Sequence, residues 1–344
     1  MALRLGLMGV PRNCDKMGRH DEILKGLQAW AGQFYGADAT VERLVRLSGG
    51  ASQETWSLDV ERPGRVEELI LRRVPGGVSV ARNSEAIGLG TEAKLLSCAD
   101  GTVPAPKVIQ VFEPGSDIGE AFLMNRIPGQ TIARKILRDD DYRIAREKLT
   151  HQCGAALAAI HAIPTADLPD LPTSGGLDQL EKYETIYRAF NLPRPVFELA
   201  IAWLKSNVPS AVPPVLVHGD FRLGNLIVDS DGLAAVLDWE LAHLGDPRED
   251  IAWLCVNSWR FGQSQNRVGG FGHLDDLLTT YEASGGRKFA SDEIDPFGLA
   301  RILAWSGPRS GGVSPKPKST CSICSNRGPD PCMTRRPRKR CSPP

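Results

Sequence analysis

The sequence lacks an excess of charge of either sign: 41 Lys and Arg balance 41 Asp and Glu over 344 residues. The balance hides an asymmetry. Nine Lys and Arg and a single Asp fall in 306–344, which leaves residues 1–305 with 32 basic against 40 acidic side chains, net −8. A mildly acidic body excludes sequence-independent nucleic-acid binding, which needs a basic footprint. Long apolar runs are also missing. The run at 5–10 stops at Pro11, too short for a signal-peptide core, and no 18-residue apolar span occurs, so neither membrane insertion nor export is expected. Cysteines with paired spacing are absent from the body, where Cys14, Cys98, Cys153 and Cys255 lie scattered. That usage suits a reduced, cytoplasmic setting. No Gly-Lys dipeptide occurs, which excludes a Walker-type phosphate loop, and there is no internal repeat.

What is present is an ordinary globular composition, 42% hydrophobic and 24% charged, on a chain long enough for two cores. The first forty residues hold one helix pattern, "DEILKGLQAWAGQF", with Ile23, Leu24, Leu27, Trp30 and Phe34 on one stripe. From residue 41 the texture is strand-like ("VERLVRLSG", "TWSLDV", "EELILRRV"), then a helix ("SEAIGLGTEAKLLSCA"), then strands in "APKVIQVF" and "GEAFLMNRI" up to Pro128-Gly129. Beyond that break "YRIAREKLTHQCGAALAAIHAI" and "RPVFELAIAWLKSNV" show helical periodicity, the second with Phe197, Ala200, Ile201, Leu204 and Val208 on one face. The expected organisation is an N-terminal extension and helix at 1–40, a β-rich lobe at 41–127, a helical lobe at 128–305 and a tail at 306–344. The tail has eight Pro, four Cys and almost no aliphatic residues, so it cannot build a core; it reads as an out-of-frame or altered terminus, or else as a disordered tail.

The stretch "VLVHGDFRLGNLIVDSDGLAAVLDWE" (215–240) concentrates the chemistry. Two apolar runs joined at Asp231-Gly232 predict a hairpin. A two-residue loop there sets Asn225 opposite Asp238, with Cβ atoms about 4.5–5.5 Å apart. An amide oxygen and a carboxylate converging on one point suit a hard cation such as Mg2+ with substrate phosphates. Asp220, five residues before Asn225, is then free to reach a substrate hydroxyl. That is a layout for phosphoryl transfer.

"HGDFRLGNLIVD" followed by "VLDWE" resembles the H-G-D-x-x-x-x-N…D signature of the aminoglycoside phosphotransferase and choline kinase families, relatives of protein kinases. The wording of "LSGGASQETW", "LILRRVPG" and "GDPREDIAW" is most similar to the kinase-like domain associated with acyl-CoA dehydrogenases. The resemblance implies an α+β, two-lobed protein-kinase-like fold that uses ATP and Mg2+ to phosphorylate a hydroxyl of a small molecule. The dehydrogenase association points to a hydroxyacyl-CoA or hydroxy acid as acceptor. It implies Asp220 as catalytic base, Asn225 and Asp238 as metal ligands, and Ser48, Gly49, Gly50 and Ser52 as a turn over the phosphates. Arg72 stands where the family has a lysine for the phosphates, with Arg73 as the competing register; Glu92 would orient that cation, and Met124 to Ile127 would form the adenine hinge. Trp259 and Arg260 are candidate acceptor contacts. His218 and His161 are expected to be structural, as are Asp246 and Asp250 at a helix start. "GLGTEA" at Gly88 mimics a dinucleotide motif but has no apolar strand before it. The tail's Cys321-x-x-Cys324 lacks the spacing of a zinc site. The rival reading is a catalytically impaired or truncated kinase-like nucleotide-binding protein, favoured by the arginine at 72 and the loss of helical sequence after Trp305.

Overall fold

Three β-branched and aromatic runs after residue 40 build an antiparallel meander: β1 (Thr40–Arg46), β2 (Glu54–Arg62) and β3 (Arg65–Arg73). The computed structural model describes residues 14–47, 53–77, 86–189, 191, 193–207 and 209–306. Ahead of the meander runs α1 (Cys14–Tyr35); after it come α2 (Leu89–Ala99), β4 (Val108–Phe112) and β5 (Ala121–Asn125). The five strands form one sheet in the order β1-β2-β3-β5-β4. Alternation along β2 and β3 sends Leu58, Val60, Leu69 and Leu71 into a core that also holds Ile23, Leu27, Trp30 and Ala31 of α1. The helix expected of the N-terminal extension is therefore packed on this sheet. Phe34, at the end of its stripe, is left exposed.

The second half is helical, with α3 (Ala133–Arg138), α4 (Arg143–His161), α5 (Gly176–Ala189) and α6 (Pro195–Ser206) before the candidate catalytic segment, 215–245. That segment consists of β6 (Val215–Val217), β7 (Leu226–Val228), β8 (Leu233–Val236) and β9 (His243–Gly245), paired β6 with β9 and β7 with β8. It is followed by α7 (Arg248–Leu254), α8 (Leu274–Ala283) and α9 (Asp295–Ser306). The helix α4 is the spine of this lobe, burying Leu149, Cys153, Leu157 and Ile160. Gly154 is required there because a Cβ would stand 2.9 Å from the Leu277 carbonyl oxygen of α8. Leu95 and Leu96 of α2 lie in a core that takes in Phe122 and Met124 of β5 as well as the buried residues of the helical lobe, so the helix that carries Glu92 bridges the sheet and the helical lobe. Among the described residues no helix is long and apolar enough to cross a membrane.

The hairpin differs from expectation in register. Leu226 pairs with Val236 and Ile227 with Ala235, with an irregularity before Val228 and Leu233. The loop is longer than Asp231-Gly232 alone: Asp229 accepts the amides of Asp231 and Gly232 on its own carboxylate, and its N–H donates to the Gly232 carbonyl. This Asx turn competes with the two-residue turn. The register therefore moves by one residue, Asn225 accepts the Leu237 N–H through its carbonyl, and Asp238 falls just past the ladder.

Candidate active site

The candidate catalytic segment is held by its backbone. Gly219 has φ +82 and lies so close to Leu241 that a Cβ would stand 2.2 Å from the Leu241 carbonyl oxygen. The buried Asp250 of α7 accepts the His218 N–H on Oδ2 at 2.7 Å and the Gly219 N–H on Oδ1 at 2.9 Å. Behind it, His161 Nε2 stands 3.3 Å from Asp250 Oδ2, and His161 Nδ1 2.8 Å from the Tyr281 hydroxyl. His218 accepts the Asp220 N–H on Nδ1 at 3.2 Å and donates from Nε2 to the Leu237 carbonyl at 3.0 Å. Burial holds this imidazole below its ordinary value, so it serves as a neutral brace.

On that platform Asp220 presents a carboxylate with three donors. Trp253 Nε1 reaches Oδ1 at 2.6 Å, Asn225 Nδ2 reaches Oδ2 at 2.7 Å, and Arg222 Nε spans both oxygens at 3.1 and 3.2 Å. Asn225 Nδ2 also donates to the Asp220 carbonyl at 3.0 Å. With its nitrogen committed twice, Asn225 turns its amide oxygen away from Asp220. Among the described residues that oxygen and Asp238 Oδ2 accept no hydrogen bond, so two hard oxygens are left for a cation. Asp238 itself adopts a left-handed backbone, φ 67 and ψ 61, a conformation that Asp and Asn tolerate better than most residues.

Arg72 faces this cleft while Arg73 points to the other side of β3, where it pairs with Glu54 at 3.1 Å. Each edge of the Arg72 guanidinium is engaged: Nε with Gln53 at 2.9 Å, Nη1 in ionic contact with Glu92 at 3.0 Å, and Nη2 with Asp238 at 3.0 Å. Burial works against its charge, but Glu92 and Asp238 outweigh that and hold Arg72 above its ordinary value. A lysine has one compact ammonium and cannot span three partners with this geometry, whereas the planar fork can.

Met124 lies in β5 between Ile70 and Val108, and Ile127 follows that strand, half-buried. Ser48, Gly49, Gly50 and Ser52 lie outside the described residues. Of the acceptor candidates, Arg260 is turned inward, donating from Nε and Nη2 to the Cys255 carbonyl at 3.1 and 2.7 Å. These two bonds brace the loop 255–260. Trp259 stacks beneath Arg222, 4.7 Å from its guanidinium carbon.

Glu240 sits at the same cleft, and burial, followed by the neighbouring Asp238, pushes its carboxyl up to about 7. A carboxyl raised in the folded state binds its proton more tightly there than in the unfolded chain. Stability is therefore lost as pH rises from the ordinary 4.5 towards 7. Glu240→Gln removes that loss. At pH 8 without metal the variant is expected to be more stable by about 1–2 kcal/mol, after allowing for solvent screening, and to melt a few degrees higher; the difference vanishes near pH 4. Thermal melts at pH 4, 6 and 8 check this, and a gap that does not grow with pH contradicts it.

Residues 43–286 match the family described as Phosphotransferase enzyme family. The chain belongs to that family. Its relatives include mouse acyl-CoA dehydrogenase family member 10, 32% identical over 222 residues, which amounts to 62% of this chain and 20% of the relative. The chain thus spans about a fifth of that protein's length. A crystal structure of a Ralstonia eutropha protein described as a putative aminoglycoside phosphotransferase superposes with TM-score 0.60 at 22% identity, covering 82% of this chain and 87% of the other. A thermostable aminoglycoside phosphotransferase in ternary complex with ADP and hygromycin B gives 0.51 at 19% identity, covering 82% and 89%. The likeness in these structures is one of fold, and it agrees with the two-lobed, kinase-like α+β architecture. Within the phosphotransferase frame, sequence reasoning missed Gln53, Arg222 and Trp253. The last had a signal: Trp253 follows Asp250 by three residues in a helix, which places both on the face turned to the catalytic segment.

Proposed function

We propose that the chain transfers the γ-phosphate of ATP to a hydroxyl of a small molecule. The observation that best supports this is the Asp220–Asn225 bond of 2.7 Å, since a carboxylate suited to take a hydroxyl proton then stands beside a side chain whose amide oxygen would face phosphate-bound metal. Asp220 accepts the acceptor's proton as its oxygen attacks phosphorus. Asn225 and Asp238 would hold Mg2+, which when bound neutralises charge on the phosphates. Arg72, oriented by Glu92, supplies positive charge to the same phosphates from the sheet side. At the hinge, Met124 lines the adenine site, and the Ile127 N–H, which has no acceptor among the described residues, is a donor for the base edge. Ser48, Gly49, Gly50 and Ser52 belong to this reading as the cover over the phosphates. The acceptor is a hydroxyacyl-CoA or a related hydroxy acid. Kinship with acyl-CoA dehydrogenase family members supports this, with the tryptophan pair 253 and 259 lining the approach to Asp220. The small-molecule acceptor is the chain's partner in this scheme, which calls for neither nucleic acid nor membrane.

Metal titration of ATP binding tests the site. Asp238→Ala should weaken Mg2+-dependent ATP binding by about tenfold or more and Asn225→Ala by less, because the carboxylate brings charge as well as an oxygen. Excess metal should restore both in part. Unchanged titration midpoints in the two variants contradict a metal site here. The competing reading, a nucleotide-binding protein without transfer, is favoured by one observation: all three Arg72 nitrogens are already engaged. Incubating the protein with Mg-ATP and a panel of hydroxyacyl-CoAs, hydroxy acids and sugars separates the two. Binding without phosphorylated product under all conditions supports the competitor.

A further inference from the structure

Arg301 lies in α9, beyond the segment 43–286 that matches the family, and no motif in the sequence singles it out. Its guanidinium nevertheless reaches the catalytic segment. Nη2 donates to the Gly219 carbonyl, Nη1 stands 3.7 Å from Glu249 Oε2, and the guanidinium carbon lies over the Trp253 ring at 4.8 Å from its centroid. Trp253 in turn donates to Asp220 Oδ1 at 2.6 Å.

We infer that Arg301 is a positioning residue for the base, acting on Asp220 through both its backbone and its side chain. The Gly219 carbonyl and the Asp220 N–H belong to one planar peptide unit. His218 Nδ1 holds the N–H end of that plane, and Arg301 holds the carbonyl end. With both ends fixed the plane cannot rotate, and the direction in which Asp220 projects its carboxylate is set. Asp250 holds the preceding two amides and does not touch this carbonyl. Stacking on Trp253 keeps the indole N–H aimed at Oδ1, so the same guanidinium constrains the carboxylate at its far end. A planar cation does both tasks, while a lysine ammonium reaches a carbonyl but stacks less well. The helix α9 is thereby part of the catalytic architecture, and not only a cover for the lobe. The kinetic consequence rests on Asp220 being the base; the structural one does not.

The test uses the full chain and the variants Arg301→Gln and Arg301→Lys. The indole N–H resonances of the seven tryptophans are recorded with 15N labelling, and Trp253 is assigned by its loss in Trp253→Phe. A short bond to a carboxylate places the Trp253 signal downfield. Arg301→Gln is expected to move it upfield or broaden it, and Arg301→Lys to leave it close to its original position. In parallel, Mg-ATP turnover with water as acceptor should show kcat down about 10- to 100-fold in Arg301→Gln, as for a reacting group displaced by about 1 Å. KM for ATP should stay within about threefold, and Arg301→Lys should recover most of the loss. A Trp253 resonance unchanged in Arg301→Gln overturns the inference. So does an Arg301→Lys variant as impaired as Arg301→Gln with an equal fall in Tm, which would mark Arg301 as a lobe-stabilising residue alone. If the resonance moves as expected but neither Arg301→Gln nor Asp220→Asn slows turnover, the bracing stands and the assignment of Asp220 as base fails.

Discussion

Replacing Asp220 by alanine is expected to lower phosphoryl transfer by about 10² to 10⁴, the usual worth of a positioned general base, while leaving ATP affinity within a few-fold. The expectation follows from where the carboxylate sits. Its contacts are Trp253, Arg222 and Asn225, whereas the groups assigned to the nucleotide, Arg72, Glu92 and Asp238, form a separate cluster. Removal of Asp220 leaves Asn225 without one of two acceptors for its Nδ2, so some rotation of the amide and a modest rise in the metal requirement are expected as well. Turnover and nucleotide affinity measured on one preparation decide the matter. Near-full activity in Asp220→Ala removes this residue from the mechanism, and an equal loss in both quantities makes it a nucleotide ligand instead.

Asp250→Ala should cost about 3–5 kcal/mol of stability, as expected for removing one partner from a buried charged network. The carboxylate is fully buried and serves the amides of His218 and Gly219 together with His161. Neither of the two amides has another hydrogen-bond acceptor among the described residues. Burial works against the charge of Asp250, but the hydrogen bonds from His161 and from the His218 amide prevail and hold its carboxyl below the ordinary 3.8. A depressed carboxyl contributes stability that is complete above the ordinary value and is lost as pH falls through the folded one. The penalty of the alanine variant should therefore be constant at neutral pH and shrink only below about pH 3.8. Asp250→Asn should fall between, since one amide oxygen replaces two carboxylate oxygens and its NH2 confronts a backbone donor. Urea unfolding at pH 7 and pH 3 provides the numbers, and a cost under about 1 kcal/mol at pH 7 contradicts the role.

The two lobes were legible because their signals are local. Period-two alternation in 54–62 and 65–73 and period-3.6 stripes in 143–161 are properties of consecutive residues, and the elements that formed agree with them to within a few positions. Asp220, Asn225 and Asp238 were legible as candidates from their spacing around two short strands; the structure brings Asn225 onto Asp220, while the pairing of Asn225 with Asp238 that the spacing suggested is off by one residue. The choice between Arg72 and Arg73 was also local: alternation with Ile70 names the face, and Arg72 faces the cleft.

The sequence alone determined, then, the kind of elements, their order and the residues at the ends of the catalytic strands, because backbone sterics and side-chain periodicity act over a few residues. Tertiary structure decided the rest. The hairpin register depended on whether Asp229 would cap its own turn, a competition between two turns of similar energy. The bonds of Arg260 to the Cys255 carbonyl have no counterpart in the sequence pattern, because a loop closing on itself needed a donor there. Asp250, Trp253 and Arg301 converge on Gly219 and Asp220 from 31 to 82 residues away along the chain. Local pattern hints only that Asp250 and Trp253, three apart in one helix, share a face. The contacts exist only once α7 and α9 have packed against the catalytic segment and buried its backbone polar groups, which must then find partners.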